Sequence, residues 1–189
     1  MDNILFINSC VRPNSRTKIL ADTVLKELGG KITEVNLEIE NIQPLNSQSL
    51  KLRDELLAAQ NYDHPMLSYA RAFKEADTIV VAAPYWDLLF PASVRAYFEH
   101  VTVSGVTFYY SPEGIPQSLC KAKKLIYVAT AGGPVFGENL GYSYVKAVAK
   151  GFFGIEDTRY VDAQGLDIWG ADVEAIMEEA NKKAQNTVK

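Results

Sequence analysis

Three short runs of this chain are apolar at every position: Ile4-Leu5-Phe6-Ile7, Ile79-Val80-Val81-Ala82-Ala83 and Leu125-Ile126-Tyr127-Val128-Ala129. A strand with one wet face alternates, whereas a strand apolar throughout is covered on both faces, as in a parallel sheet under two layers of helices. The segments between these runs have helical spacing. Residues 17–28 place Ile19, Leu20, Val24 and Leu28 on one face among Lys18, Asp22, Lys26 and Glu27, and Gly29-Gly30 then supplies a C-cap. Further helices are expected over residues 47–60, from Pro65 to about residue 76, over 92–100, over 142–150 with Gly151 as the stop, and over 171–185. Residues 32–37 alternate as an edge strand would, residues 38–46 read as irregular, and residues 158–163 form a last strand. Gly105 to Leu119 is an aromatic excursion with the look of a hairpin.

Strand and helix therefore alternate through the chain, and 189 residues suit one domain spanning 1–189. Right-handed crossovers turn such an alternation into an α/β, doubly wound five-stranded parallel sheet in three α/β/α layers. Five strands without a second half suggest the flavodoxin-like order 2-1-3-4-5. In that order the topological switch lies between the first and third strands, and ligands bind beyond the C-terminal strand ends. Loops 9–17, 84–90 and 131–134 should line one crevice.

The composition narrows the ligand. Net charge is −4, with no basic stripe, which argues against nucleic acid and anionic membrane as partners. Cys10 and Cys120 have no metal spacing and suggest a reducing compartment. No apolar run reaches the length of a membrane span, and Met1-Asp2-Asn3 leads directly into a strand, so a cytoplasmic location is expected.

The first loop, Ser9 to Thr17, is rich in hydroxyls and opens a helix. It offers an anion N–H groups, Ser9, Ser15 and Thr17 as donors, and Arg12 and Arg16 as cations. Neither GxGxxG nor the Walker pattern is present, leaving a phosphate cradle of Ser and Thr, for which the phosphate of FMN is the expected ligand. The second loop brings Pro84, Tyr85, Trp86, Asp87, Leu88 and Phe90, with aromatic surface for a flavin ring and backbone amides for its polar edge. The third brings Thr130, Gly132 and Gly133, whose glycines allow backbone to approach a planar ligand. Cys10 lacks an identifiable base and reads as a buried thiol. His64 and His100 lie at helix ends, and Asp162 and Asp167 do not make a metal site.

Nearly the whole chain resembles the FMN-dependent NADH-azoreductases and their NAD(P)H:quinone reductase kin. The matching pieces include Ser9 with Ser15-Arg16-Thr17, Ala82-Ala83-Pro84-Tyr85-Trp86-Asp87, Gly105-Val106-Thr107-Phe108 followed by Tyr110, Thr130-Ala131-Gly132-Gly133, and Gly151-Phe152-Phe153-Gly154-Ile155. The resemblance implies a homodimer with active sites at the interface. It also implies an FMN that passes two electrons, in a ping-pong cycle, from NADH or NADPH to a small-molecule quinone, azo or nitro acceptor. It assigns the phosphate to Ser9, Ser15, Arg16 and Thr17, the ribityl chain and ring to 84–88, further ring contacts to Thr130, Gly132 and Gly133, and the substrate face to Phe108 and Tyr110. No side chain is implied as catalytic acid or base. The family commonly has Asn where this chain has Asp87, and Ser-Arg-Gly-Gly where it has Thr130-Ala131-Gly132-Gly133, which bears on acceptor and nicotinamide contacts. The alternative function is a flavodoxin-like carrier handing electrons to a protein; a third is a flavin-free regulatory domain. For a dimer, the sequence motive is an aromatic excess expected at the surface: Phe108, Tyr109, Tyr110, Phe136, Tyr142 and Tyr144.

Overall fold

The computed structural model describes residues 1–188. Five strands form one parallel sheet: β1 (Asn3–Asn8), β2 (Lys31–Asn36), β3 (Thr78–Ala82), β6 (Lys124–Thr130) and β7 (Asp157–Ala163). Their order is β2-β1-β3-β6-β7. Two further short strands, β4 (Phe108–Tyr110) and β5 (Pro116–Ser118), pair only with each other as an antiparallel hairpin. With that hairpin set aside, the sheet has the expected 2-1-3-4-5 order. The register places Asn8 beside Ala82, so β1 and β3 end level at the switch point.

Successive residues of the central strands feed opposite layers, which explains their unbroken apolar runs. Leu5, Ile7, Ile79, Val81, Leu125 and Tyr127 pack under α4 (Ser68–Glu75), α5 (Ala92–Val101) and α6 (Leu140–Phe153). Ile4, Phe6, Val80, Ala82, Ile126 and Val128 pack under α1 (Arg16–Leu28) and α7 (Val173–Val188). Two small helices, α2 (Leu37–Glu40) and α3 (Ser47–Ala58), complete the set. A single 3₁₀ turn, Pro65–Leu67, precedes α4 and is capped by His64, whose Nδ1 accepts from the Met66 amide at 3.2 Å.

Three expectations about elements change. The irregular stretch after β2 begins with a helical turn, because the Asn36 side chain accepts from the Glu38 and Ile39 amides. Gly151 does not end α6; the helix runs to Gly154, which takes the left-handed conformation (φ 63°), because Phe153 beyond Gly151 is buried in the core. The surface aromatics are fewer than expected. Phe108 is buried against Phe152, Tyr142 stacks on Tyr160 with ring centroids 5.0 Å apart, and Tyr144 packs edge-on to Phe90 and Phe98. Tyr109, Tyr110 and Phe136 do face solvent, as do Ile168 and Trp169. No helix of the described residues is long and apolar enough to cross a membrane.

Candidate functional site

The turn out of β1 is set by buried polar side chains. Asn8 accepts from the Cys10 amide at 2.9 Å and donates to Glu34 at 2.8 Å. Ser9 turns inward and donates its hydroxyl to the Ala82 carbonyl at 2.9 Å, so it bolts β1 to β3. It is buried, does not line the cleft, and its one O–H proton is committed to that carbonyl. Cys10 is buried beside it, and burial pushes its thiol above the ordinary range.

Ser15 is the N-cap of α1: its side chain accepts from the Lys18 amide at 3.3 Å and its carbonyl from the Ile19 amide at 3.0 Å. The first-turn N–H groups of Arg16 and Thr17 have no partner inside a helix that starts here, and they sit at its positive end. Thr17, in the first turn of α1, shares a hydrogen bond with Thr130 at the end of β6, with 2.6 Å between the hydroxyl oxygens. One proton lies in that bond, which leaves the other hydroxyl free to donate outward.

Tyr85 donates its amide to the Thr130 carbonyl at 2.9 Å, so the second loop runs against the end of β6. Trp86 and Leu89 then exchange backbone bonds of 3.2 and 2.8 Å around Asp87 (φ 51°) and Leu88 (φ 69°). This is a two-residue turn with both central residues left-handed, the geometry that favours Asn, Asp and Gly. Asp87 suits it; Leu88 is strained. Asp87 does not cap α5, whose N-cap is Pro91.

The third loop is zipped to the loop after β7. Leu166 donates to Ala131 at 3.2 Å, Asp167 to Gly132 at 2.8 Å and Gly165 to Gly133 at 3.2 Å. A Cβ on Gly132 would collide with the Asp167 carboxylate, so this glycine makes room for Asp167. Gly133 has nothing within 4 Å of that position.

These loops enclose a cleft of about 260 Å³ at the switch point. Of the residues expected there, Ser15, Arg16, Thr17, Pro84, Tyr85, Trp86, Thr130 and Gly132 line it; Ser9, Asp87, Leu88, Gly133, Phe108 and Tyr110 do not. Phe108 and Tyr110 belong to the β4–β5 hairpin, the first buried and the second exposed. Sequence reasoning missed Leu166 and Asp167. The signal was available, since the loop after the last strand must open on the same side as the others. Arg16 donates through Nη1 to the Asp167 carboxylate at 2.9 Å and to the Leu166 carbonyl at 3.1 Å. Arg12 also lines the cleft. Asp162 is taken up by Lys183 at 2.5 Å and Gln164 at 2.6 Å, away from the cleft.

A dianion with a planar aromatic body fits this donor set: helix N–H groups, hydroxyls and arginine at one end, Tyr85 and Trp86 further along. Comparison with known proteins agrees with that chemistry. A family described as having a flavodoxin-like fold matches residues 2–188. The chain is 34% identical over 201 residues to FMN-dependent NADH:quinone oxidoreductase 2 of Clostridium acetobutylicum, covering 100% of this chain and 99% of the relative. It is 36% identical over 202 residues to the FMN-dependent NADH:quinone oxidoreductase of Clostridium beijerinckii, again covering 100% and 99%. Its fold is that of an FMN-dependent NADH-azoreductase from Bacillus anthracis solved in complex with FMN, with a TM-score of 0.82 at 20% identity, covering 100% of this chain and 98% of that one.

Proposed function

The chain belongs to the flavodoxin-like family and, by its full-length likeness at 34% and 36% identity, to the FMN-dependent NADH:quinone oxidoreductase group, and from that premise we propose that it is an oxidoreductase that binds FMN in the switch-point cleft. The observation that carries the reading is the capped, hydroxyl-lined N-terminus of α1 facing Tyr85 and Trp86 across one cleft. The phosphate is held by the first-turn N–H groups, the Ser15 and Thr17 hydroxyls, Arg16 and Arg12. Ser9 supports the loop from behind. Tyr85 and Trp86 give the ring apolar contact, with Pro84 and the Asp87-Leu88 turn fixing the path of that wall. Thr130 and the backbone of 131–133 close the opposite side.

FMN bound there would supply the redox chemistry by which two electrons pass from NADH to a quinone, azo or nitro acceptor in a ping-pong cycle. The chain's part is to bind, orient and keep water from the ring. The cleft-lining residues include no histidine, cysteine, lysine or glutamate. This supports a mechanism without a side-chain acid or base. NADH is favoured over NADPH because the relatives at 34% and 36% identity are named for NADH.

Residues 1–189 act as one FMN-binding domain, and the active species is a cytoplasmic homodimer. Exposed Trp86, Leu88, Leu89, Tyr109 and Tyr110 support an interface bordering the cleft. Phe108, buried in its own chain, shapes the substrate face by backing Tyr110, with ring centroids 5.3 Å apart. Titration of the purified protein with FMN, followed anaerobically by NADH and then benzoquinone, tests the reading. Binding, bleaching by NADH and recovery with benzoquinone are expected; failure to bind FMN refutes it. Sedimentation of a fully active monomer at micromolar concentration refutes the dimer.

A further inference from the structure

Arg16 differs from an ordinary surface arginine in how its guanidinium is held. Both Nη1 protons are used, one on the Asp167 carboxylate at 2.9 Å and one on the Leu166 carbonyl at 3.1 Å. Among the described residues, its Nε and Nη2 have no protein acceptor. Nε with Nη2 is one of the two edges through which a guanidinium meets a carboxylate or phosphate in two parallel bonds.

Asp167 is itself fixed from two sides. Its amide donates to the Gly132 carbonyl at 2.8 Å, and its carboxylate lies directly over Gly132. The contact links residues 151 positions apart, from the first turn of α1 to the loop after β7. As an ion pair it contributes little to stability, because the two side chains are 40% and 65% exposed. Its effect is on direction: a flexible side chain is held to one wall of the cleft with one edge uncommitted.

We infer that Asp167, together with the Leu166 carbonyl, is a positioning residue that presents the free edge of Arg16 to a phosphate in the cleft. This rests on the FMN reading above and extends it to Asp167, a cleft-lining residue that acts through Arg16. A carboxylate next to a phosphate site is otherwise a repulsive choice, and pure repulsion makes the opposite prediction. If Asp167 only competed for Arg16, every substitution that removed it would tighten binding.

The test is the dissociation constants of FMN and of riboflavin, which lacks the phosphate, for wild type, Asp167→Ala, Asp167→Asn, Arg16→Ala and the double variant Arg16→Ala with Asp167→Ala. Asp167→Ala should weaken FMN by about three- to tenfold, the worth of one oriented hydrogen bond, and leave riboflavin unchanged. Asp167→Asn keeps an acceptor oxygen and should stay within about twofold of wild type or bind more tightly. On the Arg16→Ala background, Asp167→Ala should have no further effect. Asp167→Ala binding FMN as well as wild type or better overturns the inference, as does an equal loss for riboflavin. Wild type that binds neither flavin overturns the FMN reading itself, and the inference falls with it.

Discussion

Leu88 is the second central residue of the turn from Trp86 to Leu89, at φ 69°. A Cβ in the left-handed region costs about 1–2 kcal/mol, and glycine does not incur that cost. Glycine loses about 0.4–1 kcal/mol through its wider freedom in the unfolded chain. Leu88 is 63% exposed, and comparing Leu88→Gly with Leu88→Ala removes the leucine side chain from both variants. The remainder puts glycine ahead of alanine by roughly 0.5–1 kcal/mol. For a chain of this size that is a difference of about 1–4 °C in Tm. Leu52, exposed within α3, is the control; there alanine should exceed glycine by about 1 kcal/mol. Thermal unfolding of the four variants reads both differences. If Leu88→Ala is as stable as Leu88→Gly, the turn is unstrained and the reasoning fails. The position matters because Trp86, the first residue of the turn, lines the cleft, and strain held at a binding wall is a recurrent device for fixing its shape.

Tyr127 buries a hydroxyl without a partner, so Tyr127→Phe should raise stability by about 1 kcal/mol in urea unfolding; a loss would mean that an internal water bonds the hydroxyl. Thr17→Val keeps the shape but loses a donor and the Thr130 bond, and should weaken FMN by about 1–3 kcal/mol. Ser9→Ala should instead cost about 1 kcal/mol of stability and leave the FMN Kd within about twofold; a large affinity loss would return Ser9 to the phosphate. Burial raises the Cys120 thiol from 9.0 to about 12. The folded state therefore retains a proton that the unfolded chain has lost above pH 9, and the stability contributed is complete below that pH and disappears as pH rises toward 12. Wild type should lose stability faster than Cys120→Ala over that window, by up to about 1.4 kcal/mol per pH unit; parallel profiles would refute this.

What the sequence made legible is what local pattern determines. Unbroken apolar runs of four or five residues, separated by helical patterns, read as strands covered on both faces, so the sheet, its order and the side on which ligands bind could be read. The Ser15 cap is equally local, since a hydroxyl directly before a helical pattern marks its own position. The direction of a side chain at a strand end is a different matter. Ser9 is one of several hydroxyls in its loop, and only the position of Ala82 on the neighbouring strand turns it inward. Asp167 met the same obstacle from the other side: its partner lies far away in sequence, and no local pattern announces the pairing. Gly151 and Gly154 are equally plausible stops, and the choice between them is made by Phe153 reaching the core.

The β4–β5 hairpin is joined to the rest of the protein at its root. Thr107 is buried, with its hydroxyl donating to the Val101 carbonyl at 2.7 Å and its carbonyl accepting from the Leu119 amide at 2.9 Å. Ser118 donates to the Phe153 carbonyl at 2.6 Å at the end of α6. The tip from Ser111 to Ile115 closes on itself through bonds of 2.9 Å and contributes no strand to the central sheet. Inserted residues there would change neither the register of the five parallel strands nor the positions of the loops at their ends. The tip is thus a modular handle: a peptide tag or reporter placed between Glu113 and Gly114 would move with the hairpin while the cleft kept its shape.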